Sequence, residues 1–555
     1  MVTSAWPYVN YVPHLGNLVS SILSADVVAR YYRLKGDEVV YVTGSDEHGT
    51  PIEVEAVRQG KTPKELTDQN HEKFVNLFEK WGISFTNYTR TESPVHKKFV
   101  RELLLTLYNN GYTFTQETDL PYCPQCNRFL PDRFIEGTCP ICGHNRARGD
   151  QCEACGSLLE PTKLIKPYCT ICETQPIVKR SKHWFFDLPR FSEQLLDYIK
   201  GNKQLLGNAR NFSLKLLQEG LRARPITRDN KWGIRAPFPG AEGKTVYVWV
   251  EAVLGYLSAT LEYFQQRGEE ETWEEYWLNK ETKTLFFIGK DNIPFHTLIL
   301  PSLLLATHKD YNLPWTVNAT EFLMFEDQAF SKSRRIGVWI DEALDLFPTD
   351  YWRYALISMR PEKRDTNFSW KAFIERVNSD LNDTLGNFIH RTLTFLNQHF
   401  HNEIPKPYKL TAYDKHVLKL VRNEVERIAQ SLETLKLRQA LRQVMGISHI
   451  GNRYLNKTEP WKTINIDSPS SANTLYVSSQ IVKILAIILE PFTPFTAEKI
   501  WEMLNLSGSI HDQRWQETKT DLPSGHEIQL AIPLFSKIKA TEAELQTMLE
   551  EIRSK

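Results

Sequence analysis

Apolar residues follow a strand–helix–strand rhythm in the first part of the chain and a purely helical one in the last. Residues 2–5 read as a short buried strand, and Trp6-Pro7-Tyr8 turns the chain after it. From His14 to Leu34 apolar side chains recur at helical spacing (Leu15, Leu18, Ile22, Ala25, Ala29, Tyr32), and Gly36 closes the run. The β-rich segment Glu38 to Thr43 follows, with Gly44-Ser45-Asp46-Glu47-His48-Gly49 just beyond its carboxyl end. This order predicts the start of a parallel sheet, and such sheets bind ligands at the carboxyl ends of their strands. Proline, glycine and cysteine turns interrupt the pattern over about 116–180. It resumes with a predicted strand at Val246–Trp249, a helix at Glu251–Tyr263 and a buried strand at Leu285–Ile288. That strand runs out at Gly289-Lys290-Asp291-Asn292, before an apolar helix over 293–307. From about 376 onward the pattern is almost wholly helical, with amphipathic stretches near 378–400, 413–430, 435–456 and 472–504. Pro460-Trp461 and the pair Pro491 and Pro494 punctuate them.

The cysteines add chemistry to the interruption. All eight fall into four Cys-x-x-Cys pairs: Cys123/Cys126, Cys139/Cys142, Cys152/Cys155 and Cys169/Cys172. A disulfide framework suits small secreted chains, whereas the rest of this one has no cysteine. Thioredoxin-like chemistry requires one pair beside a βαβ pattern, not four clustered pairs. Each turn aims two thiolates at one metal, and two turns complete a tetrahedral four-sulfur site with no position left for water. Eight thiolates therefore predict two structural zinc ions. The connections between successive pairs hold 12, 9 and 13 residues, which leaves sequential and nested pairing both open. The shortest connection makes the middle two pairs natural partners, so nested pairing is favoured.

Length and charge narrow the class. At about 150 residues per domain, 555 residues predict three to four domains. Lysine plus arginine equals aspartate plus glutamate at 67 each, which argues against a protein that coats arbitrary nucleic acid. The longest apolar stretches, such as Leu298 to Ala306, are expected to fall far short of the ~20 residues that span a bilayer. The start, Met-Val-Thr-Ser-Ala-Trp-Pro, lacks the basic opening and apolar run of a signal peptide. The expectation is a cytoplasmic protein with no membrane and no DNA partner.

Two short motifs suit phosphate. His14-Leu15-Gly16-Asn17 opens the first helix, where unsatisfied amide hydrogens and the positive dipole end favour an anion. Gly16 allows close approach to the backbone, and His14 and Asn17 can donate to phosphate oxygens. Phe330-Ser331-Lys332-Ser333-Arg334-Arg335 is a compact basic and hydroxylic loop. A Walker-type loop almost appears at Gly240-Ala241-Glu242-Gly243-Lys244-Thr245, but its glycines are separated by two residues instead of four.

Together these pieces resemble the class I aminoacyl-tRNA synthetases, whose signatures correspond to HLGN after the first strand, GKDN after a late strand and FSKS some 300 residues on. More closely, Ser4-Ala5-Trp6-Pro7-Tyr8, Gly44 to Pro51, the nested knuckles, Trp249 with Tyr256, and Arg364 to Trp370 resemble the methionyl-tRNA synthetase family. The resemblance runs from residue 2 to about 515. It implies an α/β fold, with a Rossmann-like parallel-sheet catalytic domain in two halves, 1–115 and 226–325, and an inserted zinc-knuckle domain at 116–225. A signature-loop and stem-contact region at 326–375, an all-α anticodon-binding domain at 376–515 and a tail at 516–555 would follow.

The resemblance also implies roles. Methionine would be ligated to its tRNA through a methionyl-adenylate, with release of pyrophosphate and AMP. His14, Asn17 and Lys332 would be catalytic, and Gly16, Lys290, Asp291, Ser331 and Ser333 would complete the site for ATP and its Mg2+. Asp46 would hold the methionine ammonium, while Ala5, Trp6, Tyr8, Trp249, Ala252, Val253, Tyr256 and His296 would form the thioether slot. Asn387, Arg391 and Trp461 would read the anticodon CAU. The chain departs from the family at Ala329, where the signature loop normally opens with lysine, and Arg335 stands where relatives often have glycine. A synthetase for another apolar amino acid is the first alternative, although the branched-chain enzymes usually carry a larger editing insertion and this pocket is aromatic. A non-catalytic tRNA-binding paralogue is the second. Because many relatives dimerise through an additional C-terminal barrel, a monomer is expected here.

Overall fold

The computed structural model describes every residue except 131–133, 150, 151, 153, 156–158, 160, 333 and 555. Ser333 therefore lies outside the described residues. Five parallel strands form the central sheet: β1 (Val2–Ser4), β2 (Tyr41–Ser45), β3 (Asn87–Arg90), β4 (Leu285–Gly289) and β5 (Thr316–Thr320). Their order is β5-β4-β1-β2-β3, so the first strand lies in the middle and the chain winds outward on both sides. Val2 pairs with both Leu285 and Tyr41, which puts the carboxyl ends of β1, β2 and β4 side by side. In a doubly wound sheet that reversal of direction opens a crevice. The expected α/β class and the helical second half are both present.

Local chemistry explains where expected and observed elements agree. The first helix runs from Leu15 to Lys35 and ends at Gly36, whose φ of 97° is a left-handed cap that suits glycine. Within it, Leu18–Ile22 form a π-helical turn. Apolar spacing does not reveal such a turn, yet π turns often occur beside functional sites. A second one, Phe295–Ile299, lies on the far side of the crevice.

Two elements differ from the sequence reading. The strand expected at Val246–Trp249 is confined to Thr245–Val246, and a helix begins at Val248 and continues to Gln266. Val250, Val253, Leu254 and Leu257 are buried along one face, so helical spacing outweighs the β-branched composition of the run. The stretch 472–504 is two helices, Ser468–Leu489 and Pro494–Met503, separated where two prolines cannot continue the backbone ladder. Ser468–Leu489 is also long and apolar enough, by composition, to cross a membrane. Interspersed serines and threonines hide this from a search for uninterrupted runs. Here the helix is the buried axis of the bundle.

The insertion is built on a long antiparallel pair, Thr113–Cys123 with Ile177–Phe186, that carries the cysteine turns away from the sheet. A buried ion cluster joins the first helix to the bundle. Arg353 and Asp26, both wholly buried, meet at 2.7 Å, and Arg30 bonds Asp26 at 3.0 Å as well as Glu490. Arg353 also donates to the carbonyls of Trp81, Pro491 and Phe492 at 3.0–3.2 Å. The break between the two helices thus turns its unpaired carbonyls toward the Arg353 guanidinium, which satisfies both.

Candidate active site

A crevice of about 400 Å³ lies where β1, β2 and β4 end. The residue after β1 (Ala5), the residue after β2 (Asp46) and the last residue of β4 (Gly289) all line it. The two π turns supply Ser20, Ser21 and Ile22 from one side and Phe295 and His296 from the other. All nine residues assigned above to a methionine slot face this one space.

The slot is tight, aromatic and nearly uncharged. Trp6 is wedged between two glycines. A Cβ on Gly44 or Gly255 would lie 2.6–2.7 Å from the indole, so only glycine leaves room on either side. Tyr256 donates from its hydroxyl to His296 Nε2 at 2.8 Å, and His296 Nδ1 donates to the carbonyl of Asn292 at 2.9 Å. Burial lowers the His296 pKa to about 4, so the ring is a neutral wall with both nitrogens engaged. Trp249 stacks on Phe295, with ring centres 4.7 Å apart, and Tyr8 lies against Trp249 at 6.2 Å.

One carboxyl group, that of Asp46, stands in that slot. Asp46 is 4% exposed, and among the described residues its Oδ1 has no hydrogen-bond partner. Burial raises its pKa well above the usual carboxylate range, and the Glu251 carboxylate nearby adds to the shift. The surrounding cations are already committed. His48 bridges Glu251 at 2.6 Å and Glu92 at 2.7 Å, and Arg90 holds Glu47 at 2.8 Å and Asp68 at 2.6 Å. With a carboxylate on each nitrogen, and despite its burial, the His48 pKa rises to about 10 and the ring is an imidazolium. The pocket as built is short of one cation at Asp46.

The other end of the crevice suits an anion. His14 caps the first helix and its Nδ1 accepts from Asn17 N at 3.3 Å, so the proton of the neutral ring resides on Nε2. Burial, together with the Lys332 charge, lowers the His14 pKa to about 3 and keeps the ring neutral. Asn17 closes the cap by accepting from His14 N at 3.2 Å. Phe330 stacks flat on His14 at 4.2 Å, and a Cβ on Gly16 would press to 3.0 Å from the imidazole. Gly16 therefore preserves this stack in addition to leaving the helix end open. Lys332 reaches over the Tyr11 ring at 4.1 Å and lines the same crevice.

Some of the expected residues stand elsewhere. Asp291 lines the crevice, whereas Lys290 turns outward between Glu321 at 2.8 Å and Asp365 at 3.0 Å. Gly16 and Ser331 flank the crevice without lining it. Sequence reasoning passed over Phe295, Tyr11 and the His48–Glu251–Glu92 group. The aromatics follow recognised motifs by a few residues, but His48 and Glu251 are 203 positions apart and give no local signal.

The cysteines gather as nested sets, Cys123, Cys126, Cys169 and Cys172 in one and Cys139, Cys142, Cys152 and Cys155 in the other, all sulfurs of a set lying within 4.8 Å. Close sulfur pairs are 3.3–3.9 Å apart. That is far beyond the ~2.05 Å of a disulfide. It brackets the ~3.8 Å expected across a tetrahedron with metal–sulfur bonds of ~2.3 Å. In the bundle, the Arg391 guanidinium lies 4.9 Å over the half-exposed Trp461 ring, and Asn387 is exposed one turn earlier on the same helix. Glu459, with φ 43°, is held left-handed just before Pro460 and aims this tryptophan out of the bundle.

Comparison with known proteins agrees with this geometry. The family described as "tRNA synthetases class I (M)" matches residues 1–393, and "Anticodon binding domain of methionyl tRNA ligase" matches residues 404–550. The methionine–tRNA ligase of Thermofilum pendens is 51% identical over 552 residues, covering 100% of this chain and 97% of the relative. That of Aeropyrum pernix is 51% identical over 540 residues, covering 97% and 94%. Among solved structures, Mycobacterium tuberculosis methionyl-tRNA synthetase bound by methionyl-adenylate superposes with a TM-score of 0.80 at 23% identity, covering 96% and 99%. With near-complete coverage by both family models and about half of all positions shared with such relatives, the chain belongs to the class I methionyl-tRNA synthetases.

Proposed function

We propose that this chain ligates methionine to its tRNA in two steps, both performed in the crevice between β1, β2 and β4. The observation that carries the reading is Asp46, a buried carboxylate facing a slot of neutral aromatics. An α-ammonium on Asp46 and a thioether against Trp6, Tyr8, Trp249, Tyr256 and His296 satisfy both halves of that site. The slot is shaped to hold a flexible, polarisable chain against aromatic walls. ATP, entering as its magnesium complex, places its phosphates at the helix end, where His14 Nε2–H and Asn17 donate, and Asp291 meets the adenosine hydroxyls.

In the first step a methionine carboxylate oxygen attacks the α-phosphorus, and the bond to the β-phosphate oxygen breaks. Lys332 stabilises the charge that moves onto the departing pyrophosphate. In the second step a hydroxyl at the 3′ end of the tRNA attacks the activated carbonyl, and AMP leaves. Neither step requires covalent catalysis by the protein. Positioning and preorganised charge supply the acceleration.

The donor set of the insertion fits zinc. Eight cysteines in two compact tetrahedra are soft, closed sites of a structural kind. Domain 116–225 then carries the knuckles that guide the acceptor end, and 376–515 carries the anticodon platform of Arg391, Trp461 and Asn387. A monomer in the cytoplasm, bound to neither membrane nor DNA, completes the reading.

Metal analysis of the purified protein is expected to give about two zinc ions per chain. Cys139→Ser and Cys152→Ser each empty one and the same site, whereas Cys123→Ser and Cys169→Ser empty the other. Evidence that Cys123 and Cys139 share an ion contradicts the nested arrangement.

Trp461→Ala removes a stacking surface worth ~1–3 kcal/mol per base. Aminoacylation of tRNA falls by about one to two orders of magnitude, while tRNA-independent ATP–pyrophosphate exchange keeps its rate. Loss of exchange as well assigns Trp461 to folding.

Arg335 is exposed and shares a second cleft with Lys332. Its charge partly replaces the lysine missing at Ala329. Its φ of 54° is one that glycine adopts without strain, so Arg335→Gly removes the charge and leaves the turn intact. Exchange is expected to fall by roughly a hundredfold at most, and Ala329→Lys restores it in that background. Full exchange activity in Arg335→Gly marks Arg335 as surface charge only.

A further inference from the structure

The helix Glu542–Ser554 folds back from the bundle onto the catalytic half. Leu545 and Leu549 are buried beneath it, and Gln546 accepts from the Trp370 indole at 3.3 Å. Near its end, the Arg553 side chain reaches across and commits its whole guanidinium to the segment that follows the Phe330–Ser333 loop. Nη1 donates to the carbonyl of Arg335 at 3.0 Å, and Nη2 donates to that of Gly337 at 2.6 Å. Nε and Nη2 grip the two oxygens of Glu342 at 2.7 and 3.0 Å, and the group lies 5.0 Å over the Trp339 ring. The Arg553 side chain is 11% exposed, so these bonds form away from bulk water.

The segment so gripped connects the two phosphate motifs. Ser331 and Ile336 exchange backbone hydrogen bonds at 2.9 Å in both directions, closing the loop as a small hairpin. Two residues on, the carbonyl of Val338 accepts from Leu15 N at 3.1 Å, and Ile340 N donates to the carbonyl of Pro13 at 3.0 Å. His14 is thus stitched to the same strip of backbone that ends the loop. The Gly337 backbone also lies directly under the Phe330 ring, where a Cβ would approach to 2.2 Å, and that ring stacks on His14.

The backbone supplies the reason a latch is needed. Arg335 (φ 54°) and Gly337 (φ 127°) are the positive-φ residues of this segment, and theirs are the carbonyls that Arg553 takes. A left-handed turn at a non-glycine residue persists when neighbouring contacts over-determine it. A planar guanidinium with several donors in fixed directions can hold two carbonyls and a carboxylate at once, which a lysine ammonium cannot match.

We infer that Arg553 is a positioning residue for methionine activation. It fixes the hinge of the signature loop against the His14 helix, so that Lys332 meets the triphosphate in a set register. The inference rests on the role given above to Lys332. Displacing a charged group by about 1 Å in such a reaction costs up to ~100-fold, so loosening the hinge is expected to slow the chemical step while methionine binding stays intact.

The test compares the full-length chain with Arg553→Gln, Lys332→Ala and the double variant in ATP–pyrophosphate exchange. Arg553→Gln is expected to lower kcat about tenfold to a hundredfold with KM for methionine unchanged. In the Lys332→Ala background it adds no further loss, because it acts through that lysine. Arg553→Lys recovers part of the rate. Hydrogen exchange should quicken in residues 330–337 and stay unchanged in β1 and β4. Three results overturn the proposal: unchanged kcat and protection in Arg553→Gln, an equal further loss in the Lys332→Ala background, or a rise in methionine KM with protection lost throughout. Full exchange activity in Lys332→Ala instead refutes the role of Lys332 and removes the inference with it, whereas an inactive Lys332→Ala beside an unaffected Arg553→Gln refutes the latch alone.

Discussion

A buried carboxylate with one unpartnered oxygen is the constraint around which the catalytic half is arranged. Asp46 follows directly on β2, and backbone bonds with the β1 turn fix it there, from Val9 N to the Asp46 carbonyl at 3.1 Å and from Asp46 N to the Pro7 carbonyl at 2.9 Å. Leaving a charge in that position is unfavourable unless a cation arrives. His48 and Arg90 are paired elsewhere, His48 with Glu251 and Glu92, and Arg90 with Glu47 and Asp68. The fold therefore leaves one buried carboxyl oxygen unpartnered, a need that the ammonium group of the proposed substrate would meet. In the proposed reading the aromatic slot around it then selects the side chain.

The same logic of preorganised, mutually satisfied groups extends outward. His14 is kept neutral, capped and stacked, so its one N–H is presented without a change of protonation state. Behind it, Asp26, Arg30, Arg353 and Glu490 tie the first helix to the broken helix of the bundle. A buried cluster of this kind contributes little net stability compared with apolar packing, but breaking one member leaves an uncompensated charge. Here it sets the bundle against the helix whose opposite end carries the His14 cap. The helix Glu542–Ser554 adds a second tie, at the signature loop itself.

Much of this was legible in the sequence because function and local pattern coincide. The crevice residues follow strand ends, and strand ends are visible as short strand-like runs before Trp6-Pro7-Tyr8, Gly44–Gly49 and Gly289–Asn292. Cysteine pairs announce their own chemistry, and the connection lengths favoured the nested sets that the structure forms. What escaped has no short-range signature. The outward turn of Lys290 depends on Glu321 and Asp365, one of them 75 residues away. The π turns that aim His296 and Ser21 inward have the same apolar spacing as ordinary helix. No local pattern reveals that Gly44 and Gly255, far apart in the chain, enclose the Trp6 indole between them. At Val246–Trp249 β-branched residues suggested a strand, but burial on one helical face decided the outcome.

The central claim is that the Asp46 crevice activates methionine by adenylate formation. It is tested most directly by ATP–pyrophosphate exchange with each of the twenty amino acids in turn, in the absence of tRNA. The account predicts exchange that depends on methionine and is near background with leucine, isoleucine, valine and cysteine. Exchange supported equally by a branched-chain amino acid, or no exchange with any amino acid by a folded, metal-loaded protein, would contradict it.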